Sequence, residues 1–138
     1  MRTIGLIGAP TDVGAWVRGA SLGPEALRVA GLAQALRWQG LGVQDWGDLY
    51  GPVNPMHPPV RGCSHLREVH IWTLLVAGAV QQALSWGQVP VLLGGDHSLA
   101  IGSVAAVARH CATQGKRLQL VWFDAHADSN TPATSPSG

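Results

Sequence analysis

The sequence predicts an α/β protein, a three-layer α/β/α arrangement of helices on both faces of a parallel sheet, incomplete within these 138 residues. Three observations carry that prediction. Short apolar runs ("TIGLI", "GVQDWGDL", "VPVLLGG" and "LQLVWFD") alternate with longer helical patterns. Connections of helical length require neighbouring strands to run parallel. No internal repeat or low-complexity tract competes with that alternation.

Thr3 to Ile7 is the first apolar run, and Gly8-Ala9-Pro10 turns it into a loop. In "GPEALRVAGLAQALRWQG", Pro24 suits a first helical turn, Ala26, Val29, Ala33 and Leu36 recur at helical spacing, and Gly40 is a natural stop. One helix over about 24–39 is expected. "GVQDWGDL" follows as a second strand. Between Tyr50 and Ser64, Pro52, Pro55, Pro58 and Pro59 exclude regular structure. His65 to Trp86 is apolar on most faces and ends at Gly87, which predicts a long, largely buried helix. Gln81 and Gln82 interrupt it, and its apolar stretch is too short to span a bilayer. "VPVLLGG" is the third strand, "LAIGSVAAVARH" a helix and "LQLVWFD" a fourth strand.

Composition narrows the class of partner. Apolar residues make up 46% and charged residues only 12%, which excludes a disordered chain and implies that oligomer contacts or further chain cover part of the surface. Nine Lys and Arg against eight Asp and Glu, with no basic block, leave no electrostatic footprint for nucleic acid or an anionic membrane. Cys63 and Cys111 have neither zinc-type spacing nor the numbers of a disulfide framework, so reduced thiols in a cytoplasm are expected. "MRTIGLIGAPTDVGA" has one Arg and an apolar run broken by Gly and Pro, and reads as a first strand, not a signal peptide.

In open parallel sheets, ligands bind beyond the carboxyl ends of the strands. Two loops there hold the chemistry: "GGDHS" after the third strand and "DAHADSN" after the fourth. Asp124, His126 and Asp128 alternate, so an extended backbone would put all three on one face, and His97 adds a fourth candidate ligand. Carboxylate oxygen with imidazole nitrogen suits Mn, Fe, Co or Zn, and neither loop contains a cysteine for a thiolate site. A single Asp at a strand end is ordinarily a cap or turn former, and for Asp96 or Asp128 alone that reading is preferred. Two strand ends offering D-H and D-x-H-x-D together would crowd like charges unless a cation joined them, so a metal is favoured. Four ligands are few for a two-metal cluster. Downstream, Asn130, Thr131, Thr134, Ser135 and Ser137 are hydrogen-bonding groups suited to a substrate's polar ends.

Other residues read more plainly. His57, His65, His70 and His110 lack a partnering carboxylate motif and read as surface or core histidines. The six tryptophans suit core or subunit contacts. The glycines of "GLIGAPTDVGA" do not form a dinucleotide fingerprint. On spacing alone a metallophosphoesterase or a metal-dependent deacetylase stays open, although the polar tail has no basic residue for phosphate.

"GGDHSLAIGS" and "VWFDAHADSNTP" resemble the two first metal-binding signatures of the ureohydrolases, the arginase–agmatinase family, and "RGASLGPEALRVAGL" is similar to its N-terminal helix. The resemblance covers the whole chain. It implies a dinuclear manganese (Mn2+) centre in which His97 and Asp128 hold one ion, His126 holds the other and Asp124 bridges them, with Asp128 also orienting a bridging hydroxide as the catalytic carboxylate. Within the family, "NTPATSPSG" is similar to the arginase branch, which implies that Asn130, Ser135 and Ser137 grip the α-carboxylate of L-arginine. The implied products are L-ornithine and urea. Family members continue with an Asn-Leu-His-Gly-like stretch and a later Asp-x-Asp pair and commonly assemble as trimers or hexamers. Residues 1–138 are thus expected to be the N-terminal part of one ureohydrolase domain, inactive or impaired alone, with the third and fourth strands lacking strands that intervene between them. Hydrolysis of agmatine or a guanidino acid stays open as an alternative, as does a non-catalytic remnant binding metal or partner subunits. Asp12 and Arg18 either touch substrate or shape the first loop.

Overall fold

The computed structural model describes residues 3–126, 128–131 and 133–135. In chain order it holds β1 (Thr3–Ala9), a single 3-10 turn (Ala20–Leu22), α1 (Gly23–Val29), α2 (Leu32–Trp38), β2 (Gly42–Asp48), α3 (Leu66–Ser85), β3 (Val89–Gly94) and α4 (Leu99–Thr113). The three strands form one parallel sheet in the order β2-β1-β3.

β1 is central, and its side chains alternate between two cores. Ile4 and Leu6 join Leu93 on one face, against Leu32, Ala33 and Leu36 of α2. Ile7 and Ala9 enter the other core, with Trp72, Val76, Ala79 and Val80 of α3 and Leu99 and Ala106 of α4. Helices therefore cover both faces of the sheet, the three-layer α/β/α arrangement expected from the sequence. Leu6 and Ile7 are fully buried, and each stabilises the fold by roughly 1.5–3 kcal/mol relative to exposure.

Three details depart from the sequence reading. The helix expected over 24–39 is two helices, because Gly31 takes φ +84° and starts α2 on a new axis. Only glycine enters that left-handed region without steric penalty, so an apolar spacing that runs through it does not make one helix. α3 spans the expected length but buries a single stripe, Trp72, Val76, Ala79, Val80 and Ala83, while Leu74 on the far side is exposed.

The third departure is "LQLVWFD", which forms no strand: residues 116–124 have no regular structure and are exposed, Phe123 at 94%. A strand needs a partner for its ladder of N–H and C=O groups, and among the described residues β3 pairs with β1 alone.

The Pro-rich excursion of residues 50–64 has no regular element beyond one bridge between Val60 and Cys63. It is moored to α3 by the Trp72 indole N–H, which donates to the Pro52 carbonyl at 2.9 Å. No helix among the described residues is long and apolar enough to cross a membrane.

Candidate metal centre

β1 has β2 on one side and β3 on the other, so the chain reverses its direction of travel across the sheet between β1 and β3. Loops leaving adjacent strands in opposite senses open a crevice at their carboxyl ends. Gly94 and Gly95 carry the chain out of β3 into that crevice. Gly95 has φ +103°, and a Cβ there would lie 2.6 Å from the Ala9 carbonyl oxygen. The glycines therefore let the third-strand loop press against the first.

His97 projects from this loop and meets the 124–128 segment. One ligand atom each from His97, Asp124 and Asp128 lies within 4.8 Å of the others. His97 Nδ1 is 3.8 Å from Asp124 Oδ2 and its Nε2 is 3.4 Å from Asp128 Oδ2. The Trp122 ring lies beside the imidazole, with centroids 5.2 Å apart. One imidazole and two carboxylates on this scale are a donor set that fits a first-row divalent ion.

His126 is not in that group. The alternation of 124, 126 and 128 predicts a shared face only for extended backbone, and the chain bends. The His126 N–H donates to Asp124 Oδ1 at 2.9 Å, an Asx-type turn, and Asp128 takes φ +48°. The His126 side chain is consequently 84% exposed, with Nδ1 3.3 Å from Asp124 Oδ1. Asp124 thus faces a different histidine with each oxygen. The hydrogen bond from the His126 N–H is the main cause that holds its carboxyl below the usual carboxylate range, against an opposing effect of burial.

His97 and Asp128 open on a cavity of about 510 Å³ whose lining includes Gly14, Ser64, Asn130 and Ser135. Two of the three residues expected to bind the substrate carboxylate therefore share a cavity with two of the metal-ligand candidates. The third, Ser137, lies outside the described residues. The Asn130 side-chain Oδ1 accepts from the Thr134 hydroxyl at 3.4 Å, and the Ser135 N–H donates to the Thr131 backbone carbonyl at 2.9 Å, so local hydrogen bonds hold both.

Asp12 and Arg18 shape the first loop. Asp12 is buried, and its Oδ2 accepts from the Gly19 N–H at 3.0 Å and the Ser21 hydroxyl at 3.1 Å, with Arg18 Nε 3.5 Å from Oδ1. Burial acts to raise this carboxyl, but the two hydrogen bonds and the Arg18 charge outweigh it and hold it below its ordinary value. Both residues line a separate cavity of about 230 Å³ with Tyr50 and Asn54.

The sequence reading passed over two contributors. Part of the cavity lining comes from the Pro-rich excursion, through Cys63 and Ser64, and from Leu66 of α3. Behind the site, the His65 ring Nδ1–H donates to the Val13 carbonyl at 2.8 Å and ties the start of α3 to the first loop. Neither residue type signals such a role, because both depend on which loops meet.

A parallel α/β sheet with an imidazole and two carboxylates gathered beyond its strand ends defines a protein with a candidate divalent-metal centre. The chain belongs to the arginase family: the family's model matches residues 2–138. It is similar to the arginase of Bacillus caldovelox, at 41% identity over 100% of this chain and 46% of that protein. It is similar also to human arginase-1, at 42% identity over 99% of this chain and 41% of that protein. The crystal structure of native Bacillus caldovelox arginase superposes with a TM-score of 0.86 at 38% identity, covering 99% of this chain and 45% of that one. The chain spans less than half the length of these relatives.

Proposed function

We propose that this chain carries an arginase-type site for manganese-dependent hydrolysis of L-arginine to L-ornithine and urea. The observation that carries the reading is the shared cavity, which His97, Asp128, Asn130 and Ser135 all line. His97, Asp124 and Asp128 would hold one ion. His126 would hold a second, with Asp124 between them, a role supported by its facing one histidine with each oxygen. Manganese bound there supplies Lewis acidity and makes water a usable nucleophile near neutral pH. Asp128 orients that water and holds its proton on a carboxylate oxygen. Asn130 and Ser135, with Ser137, hydrogen-bond the α-carboxylate and aim the guanidinium carbon at the trio.

Specificity follows from the same groups. Agmatine lacks the α-carboxylate, so it leaves those hydrogen-bonding groups unpaired, and a site built around a polar group rejects analogues without it. The described donor set gathers three ligands at one locus with His126 outside it. On that ground the 138 residues alone hold manganese weakly and turn arginine over slowly or not at all. We place them as the N-terminal part of one ureohydrolase domain, consistent with the length of the relatives. A cytoplasmic location and homo-oligomeric assembly, as trimers or hexamers, belong to the same reading.

Equilibrium dialysis of the manganese-loaded chain against labelled L-arginine and agmatine tests the assignment. L-arginine is expected to be retained over agmatine, and Asn130→Ala and Ser135→Ala to erase the preference. Equal retention by the unaltered chain would sink the carboxylate assignment. Urea release by the chain at the rate of a full-length relative would overturn the impaired-activity part. A second reading, a non-catalytic chain that docks onto partner subunits, is favoured by one observation, the exposed apolar run around Val121 and Phe123. Co-sedimentation with a full-length family member, combined with no manganese uptake, would select it.

A further inference from the structure

We propose that Asp96 is a positioning residue for His97, locking that ligand to the first loop of the chain; the inference rests on reading His97, Asp124 and Asp128 as a metal site. Asp96 is buried, and its carboxylate accepts three hydrogen bonds from two directions. Oδ1 takes the Ser98 N–H at 2.9 Å and the Ser98 hydroxyl at 2.5 Å, while Oδ2 takes the Gly14 N–H at 2.8 Å. The Asp96 N–H in turn donates to the Thr11 carbonyl at 3.0 Å.

His97 therefore sits between two residues whose backbones are both tied down, and the tie crosses from the β3–α4 loop to the loop after β1. The tie fixes the backbone from which the His97 side chain, 57% exposed, reaches Asp124 and Asp128. Loss of groups that orient a metal ligand typically weakens binding about 10- to 100-fold, and Asp96 acts on the ligand through the backbone on either side of it.

A carboxyl side chain is the group this position needs. It offers lone pairs to three donors, whereas an amide offers one oxygen and points its NH2 at an N–H that has nothing to accept with. Gly14 belongs to the same device. A Cβ there would lie 3.0 Å from Ser98 Oγ and 3.2 Å from Asp96 Oδ1, tighter than most side-chain contacts, so Ser98 or the carboxylate would have to shift to admit one.

The test is Mn2+ affinity, read from the electron paramagnetic resonance signal of free Mn2+, for the unaltered chain, Asp96→Asn, Gly14→Ala and Ser98→Ala. Arg28→Ala is the control: it removes ion pairs between α1 and the end of β2, away from the loop. Melting midpoints without metal are recorded for all five. The expected result is at least tenfold weaker binding for Asp96→Asn and Gly14→Ala, a smaller loss for Ser98→Ala, and no loss for Arg28→Ala at comparable destabilisation. Should Asp96→Asn not fold, Gly14→Ala and Ser98→Ala carry the comparison. Unchanged affinity in the loop variants overturns the positioning role and leaves the metal site standing. Affinity that tracks the melting midpoint in every variant, control included, overturns it as well. Absence of Mn2+ binding by the unaltered chain overturns the metal reading, and the positioning role with it.

Discussion

Nε2 of His97 lies 3.4 Å from Oδ2 of Asp128, although the whole of α4 separates the two residues in the chain. The contact exists because β3 ends at the crevice beside β1 and the 124–128 segment folds back over the same crevice. It also ranks the proposed ligands. His97→Ala and Asp128→Asn each remove a member of the compact trio and are expected to weaken Mn2+ binding at least tenfold, whereas His126→Ala, outside the trio, is expected to change the first binding event less. Isothermal titration with MnCl2 checks the order, and a dominant effect of His126→Ala would contradict it.

Away from the crevice, Arg28 of α1 holds the carboxyl end of β2. Its guanidinium meets Asp45 with Nε at 2.8 Å and a second nitrogen at 3.0 Å, and reaches Asp48 at 2.6 Å. The Arg28 hydrogen bonds are the main cause that keeps the Asp45 carboxyl below its ordinary value of 3.8. The sign follows: the contribution is complete above the unfolded value and is lost as pH falls through the lower folded value. Arg28→Ala is expected to lower stability by about 1 kcal/mol at neutral pH, since a partly exposed but bidentate pair sits near the top of the usual range. The difference should begin to narrow in urea denaturation as pH falls below 3.8 and close below the lower folded value, where Asp45 becomes protonated in the folded chain. A difference independent of pH would assign the effect to packing.

A second stability test concerns the helix pair behind the metal loop. Gly102 of α4 faces α3 so closely that a Cβ would lie 2.4 Å from the Thr73 carbonyl oxygen. That oxygen is backbone and cannot turn aside, so Gly102→Ala forces the helices apart. About 1–3 kcal/mol of destabilisation is expected, as for other overpacked contacts, and it should appear as a lower urea midpoint with an unchanged slope.

How far these features were legible in the sequence depended on whether their causes are local. The strand at the first apolar run and the place of Pro24 in the first turn of α1 follow from residues adjacent in the chain, and both appear where the pattern put them. The break at Gly31 was hidden, because the apolar spacing continues through it and only the backbone conformation reveals the new axis. The "LQLVWFD" run has the composition of a strand, yet pairing is a property of two segments, and composition reports on one. In the site, His97 and Asp124 were both expected beyond strand ends, and His97 does leave the end of β3 and meet Asp124 and Asp128, although the run before Asp124 forms no strand. The outward turn of His126 depends on one hydrogen bond from its own N–H to the Asp124 side chain, and the Asp96–Gly14 tie joins residues far apart in sequence that no spacing rule connects.

The same unpaired run supports the last prediction. Leu120, Val121, Trp122 and Phe123 are all exposed, Val121 at 64%, and β3 leaves its outer edge without a partner among the described residues. Contiguous exposed apolar surface and an open strand edge both favour association between chains, one through burial and the other through completion of backbone hydrogen bonds. Concentration-dependent self-association is therefore expected, visible as a rising weight-average mass in sedimentation equilibrium. Val121→Lys with Phe123→Lys places charge on the run and leaves β3 untouched. A reduced mass in that variant assigns the association to the run, and an unchanged mass assigns it to the β3 edge. A chain that stays monomeric at high micromolar concentration, with its exposed tryptophans unshifted in fluorescence, would show that this surface is not an adhesive one.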